Sequence, residues 1–562
     1  MPTRRDFLQT AAATAAILPA AHWSRAFAQQ SLTQEGLVAM EPVGRLSIVH
    51  VTDIHAQLVP IHFREPSINL GVGEVKGLVP HVGGRALLDL YGIAPGSPMA
   101  HALTHEDFTA LARAYGRMGG LDRVATVVNA IRAERGAENT LLLDGGDTWQ
   151  NSWTSLQTRG EDMVDCMALL RPDAMVGHWE FTLSEERVNE LVSRLGFPFL
   201  AGNIRDTDWE EPVFDAMTMV ERAGVKVAVI GQAFPYTPIA NPRWMIPSWS
   251  FGIREAEIAA NVEEARAQGA DVVVLLSHNG FDVDRKLASR VPGIDVVLTA
   301  HTHDALPEPV LVGKTLVIAS GSHGKFVSRL DLDVSGGEVK AWGYKLIPVF
   351  ADAIAPDPAM AAKIAEIRAP YEATLSEPLG RTEGLLYRRG NFNGTFDDVI
   401  CEAMLARRDA EIALSPGFRW GASVLPGETI TMEDVTNATA MTYPETYRTT
   451  MTGARLREVL EDVADNLFNP DPYYQQGGDM VRVGGIAYAI DVSAPMGRRI
   501  SDLTLLRTGE PLEAEREYAV AGWASVNEGT EGPPIWDLVA AHIREAGTIA
   551  PQETETVRVT GT

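Results

Sequence analysis

Histidine and aspartate residues are concentrated where predicted β-strands end in this 562-residue chain. Five short segments hold them: DIH at 53–55, GGD at 145–147, GHWE at 177–180, SHN at 277–279 and AHTH at 300–303. Ligand-binding groups of α/β folds gather just beyond the carboxyl ends of the strands. Chance would scatter such residues among helices and loops, so their repeated position predicts a metal site. The predicted ligands are Asp53, His55, Asp147, His178, His278, His301 and His303.

These seven side chains are enough to hold two metal ions. They offer two carboxylates and five imidazoles, and Asp147 is the most natural bridge between the ions. Mixed oxygen and nitrogen donors without thiolate suit Mn²⁺, Fe or Zn²⁺. Two ions about 3.5–4 Å apart can activate water and hold the oxygens of a tetrahedral centre during in-line displacement. We therefore expect hydrolysis at phosphorus or sulfur.

The elements that position these ligands are predicted to form a layered α/β domain between residues 45 and 350. Amphipathic helices are predicted for LDRVATVVNAIRAER, from residue 121, and IAANVEEARAQG, from residue 258. The strand candidates are nearly continuous apolar runs, as expected of strands buried on both faces. They are LSIVHVTD, NTLLLDGGD, PDAMVGH, KVAVIGQA, ADVVVLLSH, IDVVLTAH and KTLVIASGSH.

A chain of this length normally forms more than one domain, and a second is predicted over residues 384–562. Residues 351–383 indicate a linker helix, which Pro370 interrupts. Beyond it, helical patterns such as TFDDVICEAMLARR mix with strand patterns such as GGIAYAIDV, which predicts an α+β domain. Residues 60–118 form an insertion between the first strand and its helix. Its length favours a role as a lid or a docking site for a partner.

Composition limits the class of partner. The net charge of -26 argues against a general nucleic-acid surface, so an anionic substrate needs bound cations or a few arginines. No mature stretch reaches 18 apolar residues, so no membrane span is predicted. Cys166 and Cys401 lie in apolar helical patterns and are expected to be buried free thiols, although a disulfide between them stays open.

Residues 1–28 have the pattern of a twin-arginine signal peptide. Paired arginines at positions 4 and 5 precede a short, weakly apolar run and an Ala-x-Ala site that ends at Ala28. This pattern predicts export of a folded protein to the periplasm. Metal can then be inserted in the cytoplasm, which favours a weakly held ion such as Mn²⁺.

In order along the chain, the ligand segments resemble those of the calcineurin-like metallophosphoesterases, specifically the two-domain periplasmic 5′-nucleotidases. That family has D-x-H, G-D, G-N-H-E, an isolated H and G-H-x-H, and this chain has DIH, GGDT, GHWE, LLSHN and AHTH. SPGFRWG stands at the position of its arginine-bearing loop, and GGDMVRVGGIAYAID matches its strand region. The resemblance implies a four-layered β-sandwich core flanked by helices, followed by an α+β substrate domain.

The same resemblance implies a division of the ligands between two ions. Asp53, His55, Asp147 and His303 would bind one ion. The other ion would be bound by Asp147, His178, His278 and His301. Arg419 falls at the family's substrate-anion arginine, where a guanidinium suits bidentate recognition of an oxyanion. A surface role for Arg419 stays open.

Two departures from the nucleotidase pattern matter. The G-N-H-E asparagine binds metal and its histidine stabilises the transition state, whereas this chain has His178 and Trp179. Histidine can replace asparagine as a ligand, but tryptophan cannot protonate an alkoxide leaving group. A thiolate or persulfide leaving group departs without protonation. The alternative that Trp179 is only a packing residue stays open. The second departure is GWASVNEGTEGPPIWD at 522–537, which lacks the aromatic loop that helps sandwich a nucleobase.

The chain also resembles the sulfate thiohydrolases of periplasmic thiosulfate oxidation. The features that carry this resemblance are both departures, the signal peptide, and segments such as HFREPSINLG and NFNGTFDD. That resemblance implies a dimanganese enzyme that acts on a cysteine S-thiosulfonate of the carrier protein SoxYZ. The carrier would present this group on a flexible carboxyl-terminal arm. Arg419 would hold the sulfonate oxygens, and Trp179 would line an apolar pocket for the sulfur chain.

Two other classes of function stay open. A periplasmic 5′-nucleotidase or cyclic nucleotide phosphodiesterase would need a stacking pair of aromatic side chains that faces the metals from the second domain. A non-catalytic binding module with the same fold would be expected to lose metal ligands, and here every predicted position carries a competent donor.

Overall fold

Apolar runs in the first half of the chain form two β-sheets in the computed structural model, which describes residues 32–551 and 556–561. The predicted signal peptide lies outside the described residues. The strands of this half are β1 (Leu46–Val51), β2 (Thr140–Asp144), β3 (Ala174–Met175), β4 (Arg205–Asp206), β5 (Met217–Arg222), β6 (Val225–Gln232), β7 (Trp249–Ser250), β8 (Val272–Ser277), β9 (Val296–Thr299), β10 (Val310–Val312), β11 (Thr315–Ala319), β12 (Phe326–Ser335) and β13 (Glu338–Pro348).

The helices of the first half connect these strands and cover the sheets. They are α1 (Gln34–Val38), α2 (Gly84–Tyr91), α3 (Pro98–Leu103), α4 (Phe108–Tyr115), α5 (Leu121–Arg135), α6 (Trp153–Thr158), α7 (Glu161–Leu170), α8 (Glu185–Val192), α9 (Thr237–Ala240), α10 (Glu255–Ala267) and α11 (Phe281–Arg290). Single 3-10 turns occur at Gly73–Val75, Ala137–Asn139, Trp179–Leu183 and Arg243–Met245.

The two sheets pack face to face between layers of helices. Their strand orders are β13-β12-β1-β2-β3 and β10-β11-β9-β8-β6-β5, and β4 pairs with β7 in a separate two-stranded sheet. Within β8, Val272 and Val274 belong to the core shared with the first sheet, while Val273 and Leu275 pack with α10 and α11. Strands buried on both faces need such continuous apolar runs. The predicted four-layered core is confirmed, as are all seven predicted strands.

The second half of the chain carries three smaller sheets. Its strands are β14 (Pro378–Thr382), β15 (Ile412–Ser415), β16 (Thr429–Thr431), β17 (Thr446–Thr452), β18 (Arg482–Gly484), β19 (Ile486–Asp491), β20 (Ile500–Leu505), β21 (Glu517–Trp523), β22 (Thr548–Ile549) and β23 (Val557–Thr560). Its helices are α12 (Pro358–Arg368), α13 (Glu372–Leu375), α14 (Thr395–Arg408), α15 (Met432–Thr439), α16 (Gly453–Phe468) and α17 (Ile535–Ala546), with a 3-10 turn at Pro472–Tyr474.

This arrangement gives the expected α+β second domain. The sheet orders are β16-β14-β22, β17-β21-β15-β18 and β20-β19-β23. The predicted linker helix is split at Pro370 into α12 and α13, because proline cannot continue the hydrogen bonding of a helix. Strand β14 follows it and pairs with β16 and β22. The exact domain boundaries stay a prediction.

Cys166 and Cys401 are both free and buried, as expected. Among the helices that the structure describes, none combines the length and the apolar character that a membrane span requires.

The β12–β13 hairpin is absent from the strand predictions because charged side chains interrupt its apolar pattern. Arg329 and Asp331 lie in β12 and are both fully buried. Arg329 donates two hydrogen bonds to Asp331, at 3.0 Å each, and two to Glu134 of α5, at 2.9 Å each. The buried charges are therefore compensated, in part by Glu134, which is distant in sequence from Arg329.

We expect the substitution Asp331→Ala to destabilise the first domain by about 3–5 kcal/mol, because it leaves a buried guanidinium with only one carboxylate partner. Asp89→Ala is the matched control, since its ion pair with Arg85 lies at the surface and contributes at most about 1 kcal/mol. Urea unfolding followed by tryptophan fluorescence measures both. Equal midpoints for the two variants would contradict the assignment.

Candidate metal centre

The structure brings all seven predicted ligands together at one edge of the two sheets. Their ligand atoms form two groups, each with its atoms within 4.8 Å of one another, and Asp147 belongs to both. None of the seven residues is more than 8% exposed. The two groups are Asp53, His55, Asp147 and His303, and Asp147, His178, His278 and His301.

Left-handed backbone conformations aim several of these side chains inward. The φ angles are 49° at Asp53, 51° at His55, 56° at Asp147, 72° at His301 and 60° at His303. Non-glycine residues seldom adopt such angles, and each costs on the order of 1–3 kcal/mol. Backbone hydrogen bonds hold the strained loops together, because Asp53 donates to Gly146 O at 2.9 Å and His55 to Asp147 O at 2.8 Å.

Glu180 fixes two ligand loops relative to each other, although the sequence prediction gave it no role. Its carboxylate accepts hydrogen bonds from the backbone N–H groups of His178 at 2.7 Å, Thr148 at 2.6 Å and Trp149 at 3.2 Å. Glu180 is fully buried, and burial raises its pKa. The fourth residue of GHWE therefore joins the loop of Asp147 to that of His178.

Burial keeps most of the imidazoles neutral, which is the form that binds metal. Burial lowers the pKa of His178 to about 4, and it holds the pKa values of His301 and His303 well below the usual range. Burial also opposes the charge on His278, but Asp147 and Asp53 outweigh it and raise the pKa of His278 to about 9. The carboxylates therefore attract positive charge to the space between the imidazoles.

The donor atoms present fit a pair of divalent cations. His55 Nε2 and His303 Nε2 lie 2.9 Å apart, and His178 Nδ1 and His278 Nε2 lie 3.1 Å and 3.0 Å from Asp147 Oδ2. Such a cluster of buried nitrogen and carboxylate donors needs compensating positive charge. Mixed oxygen and nitrogen donors suit Mn²⁺, Fe or Zn²⁺.

Arg419 lies beside this centre, in a cleft between the two domains. Its Nη1 donates to His301 O at 2.7 Å and its Nη2 donates to Gly478 O at 3.0 Å. Burial lowers its pKa to about 10, so the side chain stays charged at neutral pH. The cleft holds about 610 Å³ of empty space, part of it open to solvent.

Several residues of the cleft wall were not predicted. Arg389 is a second buried arginine there, and its Nε has no partner. Its only sequence signal is its position just before NFNGTFDD. From the 60–118 insertion, Asn69 and His81 contribute to the wall, and His81 Nε2 contacts Asp282 Oδ2 at 2.7 Å. The insertion therefore helps to form the cleft, while a lid or docking role stays a prediction.

Trp179 lies in an aromatic cluster that joins the two domains. Its ring centroid is 5.1 Å from that of Trp420, 5.3 Å from Phe418 and 6.4 Å from Tyr443. It is 7% exposed, and its backbone N–H donates to Asp147 Oδ1 at 2.8 Å. These contacts support the packing interpretation of Trp179, and contact with a sulfur chain stays a prediction.

Comparison with known proteins identifies relatives across almost the whole chain. Residues 378–538 match the family profile described as 5′-nucleotidase, C-terminal domain. The chain is similar to the solved structure of Thermus thermophilus sulfate thiohydrolase SoxB in complex with glycerol. The two are 36% identical with a TM-score of 0.90, over 93% of this chain and 98% of that chain.

More distant relatives are nucleotidases. The 5′-nucleotidase precursor of Thermus thermophilus shares the fold, with a TM-score of 0.73 and 21% identity over 92% of this chain and 99% of that chain. A snake venom 5′-nucleotidase of Naja atra is 26% identical over 458 residues, which are 72% of this chain and 83% of the relative. These matches confirm the resemblance drawn from the five ligand segments.

We expect Glu180→Gln to lower the affinity for metal by about 10–100-fold, as is common when the support of a ligand is lost. The amide NH₂ would face backbone N–H donors, so the loops of Asp147 and His178 would move apart. Glu185→Gln is the control, because Glu185 accepts from Ser248 N outside the ligand groups. Mn²⁺ titration of the metal-free proteins measures the effect. Equal affinities in both variants would exclude this role for Glu180.

Proposed function

Since this chain belongs to the SoxB sulfate thiohydrolase family, we propose that it releases sulfate from a cysteine S-thiosulfonate on a carrier protein. The similarity to the Thermus thermophilus enzyme over almost the full length of both chains carries this proposal. At the coarser level, the chain is a hydrolase of the 5′-nucleotidase and metallophosphoesterase superfamily.

We propose that two Mn²⁺ ions occupy the two ligand groups, with Asp147 between them. When bound, such ions would supply a nucleophile at neutral pH and offset negative charge on the substrate oxygens. The buried carboxylates and imidazoles of the two groups would hold these ions in place. Zn²⁺ and Fe accept the same donors, so the preference for Mn²⁺ rests on the predicted folding and metal insertion before export.

Arg419 is proposed to bind the sulfonate group. It keeps its charge at the cleft wall, and its two hydrogen bonds to His301 O and Gly478 O fix the guanidinium plane. A fixed guanidinium suits the oxygens of a sulfonate, because paired N–H groups bind such oxygens in a defined geometry. Arg389 adds a second positive charge to the same wall.

The overall reaction breaks the bond between the sulfonate sulfur and the inner sulfur. Water oxygen joins the sulfonate sulfur to give sulfate, the bonding electron pair leaves with the inner sulfur, and the two protons of the water pass to solvent. The carrier cysteine then carries a persulfide. Trp179 replaces the histidine of the nucleotidase motif, which removes a proton donor, but a persulfide anion needs none.

The carrier is proposed to be SoxYZ, with its carboxyl-terminal arm inserted in the cleft between the domains. Asn69, Asn391 and Gly477 line the cleft wall. Residues of the insertion and of both domains meet there, so the wall has surfaces for an extended chain. The proposed location is the periplasm, reached by the twin-arginine route.

A 5′-nucleotidase activity is the alternative, favoured by the curated relatives. Among the described residues that line the cleft, the aromatic ones are Phe281 and Phe468, which are 1% and 2% exposed. Phe418 and Trp420 stack on each other at 4.1 Å between ring centroids, so they leave no slot for a base. A nucleobase clamp is therefore not evident on the second domain.

The proposal is tested by incubating the Mn²⁺-loaded protein with thiosulfonated SoxYZ and, separately, with AMP. We expect stoichiometric sulfate from the carrier and little phosphate from AMP. Efficient phosphate release without sulfate release would instead establish a nucleotidase.

We expect Arg419→Ala to lower kcat/KM for sulfate release by about 10–100-fold, since a hydrogen bond to a charged group contributes about 1.5–3 kcal/mol. Arg448→Ala is the control at an exposed arginine, paired with Asp409, outside the cleft. Steady-state sulfate assays on both variants measure the effect. An unchanged kcat/KM in Arg419→Ala would remove this residue from substrate binding.

A further inference from the structure

A loop of the second domain contacts a metal ligand of the first domain. We call residues 469–479, which precede β18, the clasp segment. His301 Nε2 donates to Gln476 O of this segment at 2.9 Å. By contrast, His278 Nδ1 contacts Gly145 O within the first domain, at 2.5 Å. The second domain therefore holds the Nε2 side of the His301 ring, while the face of the ring stacks on Phe234 of the first domain at 4.2 Å between centroids.

The contact with Gln476 also fixes which imidazole nitrogen of His301 carries the proton. A carbonyl oxygen can only accept, so Nε2 must be the protonated nitrogen. Nδ1 then keeps the lone pair that can bind a metal ion. Hydrogen bonds of this kind to the second ring nitrogen orient histidine ligands in metal sites and raise their basicity.

Gly477 permits the close approach of the clasp segment. Its φ angle is 72°, which favours glycine, and an added Cβ would lie 2.6 Å from His301 Nε2 and 2.8 Å from Arg419 Nη2. Both atoms belong to side chains that further contacts hold in place, because the His301 ring stacks on Phe234 and Arg419 donates to His301 O and Gly478 O. A side chain at position 477 would therefore displace the imidazole of His301.

First-domain helices anchor the other end of the clasp segment. Tyr473 donates from its hydroxyl to Glu255 of α10, and the Lys286 ammonium of α11 lies 3.9 Å from the centre of its ring. Lys286 also pairs with Asp471, and the Tyr236 hydroxyl donates to Tyr473 O. These contacts hold the clasp segment against the first domain, next to His301.

From these contacts we infer that the second domain completes the metal centre, because the clasp segment positions His301. The ion of the group with His178, His278 and His301 then binds tightly only while the segment is docked. By reciprocity, binding of that ion stabilises the contact between the domains. This inference rests on the metal pair of the proposed function and does not depend on the substrate.

Gly477→Ala tests the inference, with Gly497→Ala as its matched control. Both glycines have positive φ angles, 72° and 84°, but nothing lies within 4 Å of a Cβ at position 497. Mn²⁺ is titrated into the metal-free full chain and followed by calorimetry. We expect Gly497→Ala to bind two ions like the unsubstituted chain. In Gly477→Ala, one ion should bind about 10–100-fold more weakly while the other is unaffected.

A second pair of variants leaves Gly477 in place. Tyr473→Ala removes the contacts with Glu255 and Lys286, and the neighbouring Tyr474, which is 65% exposed, provides the control Tyr474→Ala. We expect Tyr473→Ala to weaken one Mn²⁺ site by roughly fivefold or more, and Tyr474→Ala to leave both sites unchanged.

Unchanged affinity for both ions in Gly477→Ala and Tyr473→Ala would overturn the inference and leave the proposed function intact. If the unsubstituted chain binds no Mn²⁺, the metal pair of the proposed function is itself wrong, and the inference fails with it. Sulfate release plays no part in either readout, so the two failures are distinguishable.

Discussion

The Asp147 carboxylate is the point on which the rest of this structure depends. It is 1% exposed and belongs to both ligand groups. The imidazoles of His178 and His278 lie within hydrogen-bonding distance of its Oδ2 atom. A buried carboxylate costs free energy unless positive charge lies close to it. Burial would raise its pKa, but His178 and His278 hold that pKa well below its usual range. The loop conformations, Glu180 and the clasp segment all serve to maintain this arrangement.

Buried polar contacts at the site offset the free-energy cost of its strained backbone. Left-handed residues such as Asp53 and His303 persist only where surrounding structure over-determines them. Here the surrounding structure is a pair of sheets whose strands end at one edge, with hydrogen bonds that join successive loops. Trp179 extends this support across the domain boundary, since its backbone binds Asp147 and its ring packs on Trp420. The residue that sets this chain apart from the nucleotidases thus connects the ligand loops to the second domain.

Sequence patterns predict the ligands and the strands because both depend on local order along the chain. His278 directly follows the apolar run of β8, so the same stretch of sequence predicts both the strand and the ligand. The apolar pattern fails to predict a strand where a buried charge has a partner distant in sequence, as Arg329 has in Glu134. Arg389 and Gln476 are missed for a related reason. Their contacts with the loop of His301 and Thr302 arise only when the second domain packs on the first.

Anomalous diffraction from crystals of the Mn²⁺-loaded protein, recorded at the manganese absorption edge, tests the central claim most directly. We expect two peaks about 3.5–4 Å apart, one in each ligand group, with the carboxylate of Asp147 between them. A single peak, or a pair of peaks that does not share Asp147, would contradict a dinuclear centre built on these seven residues.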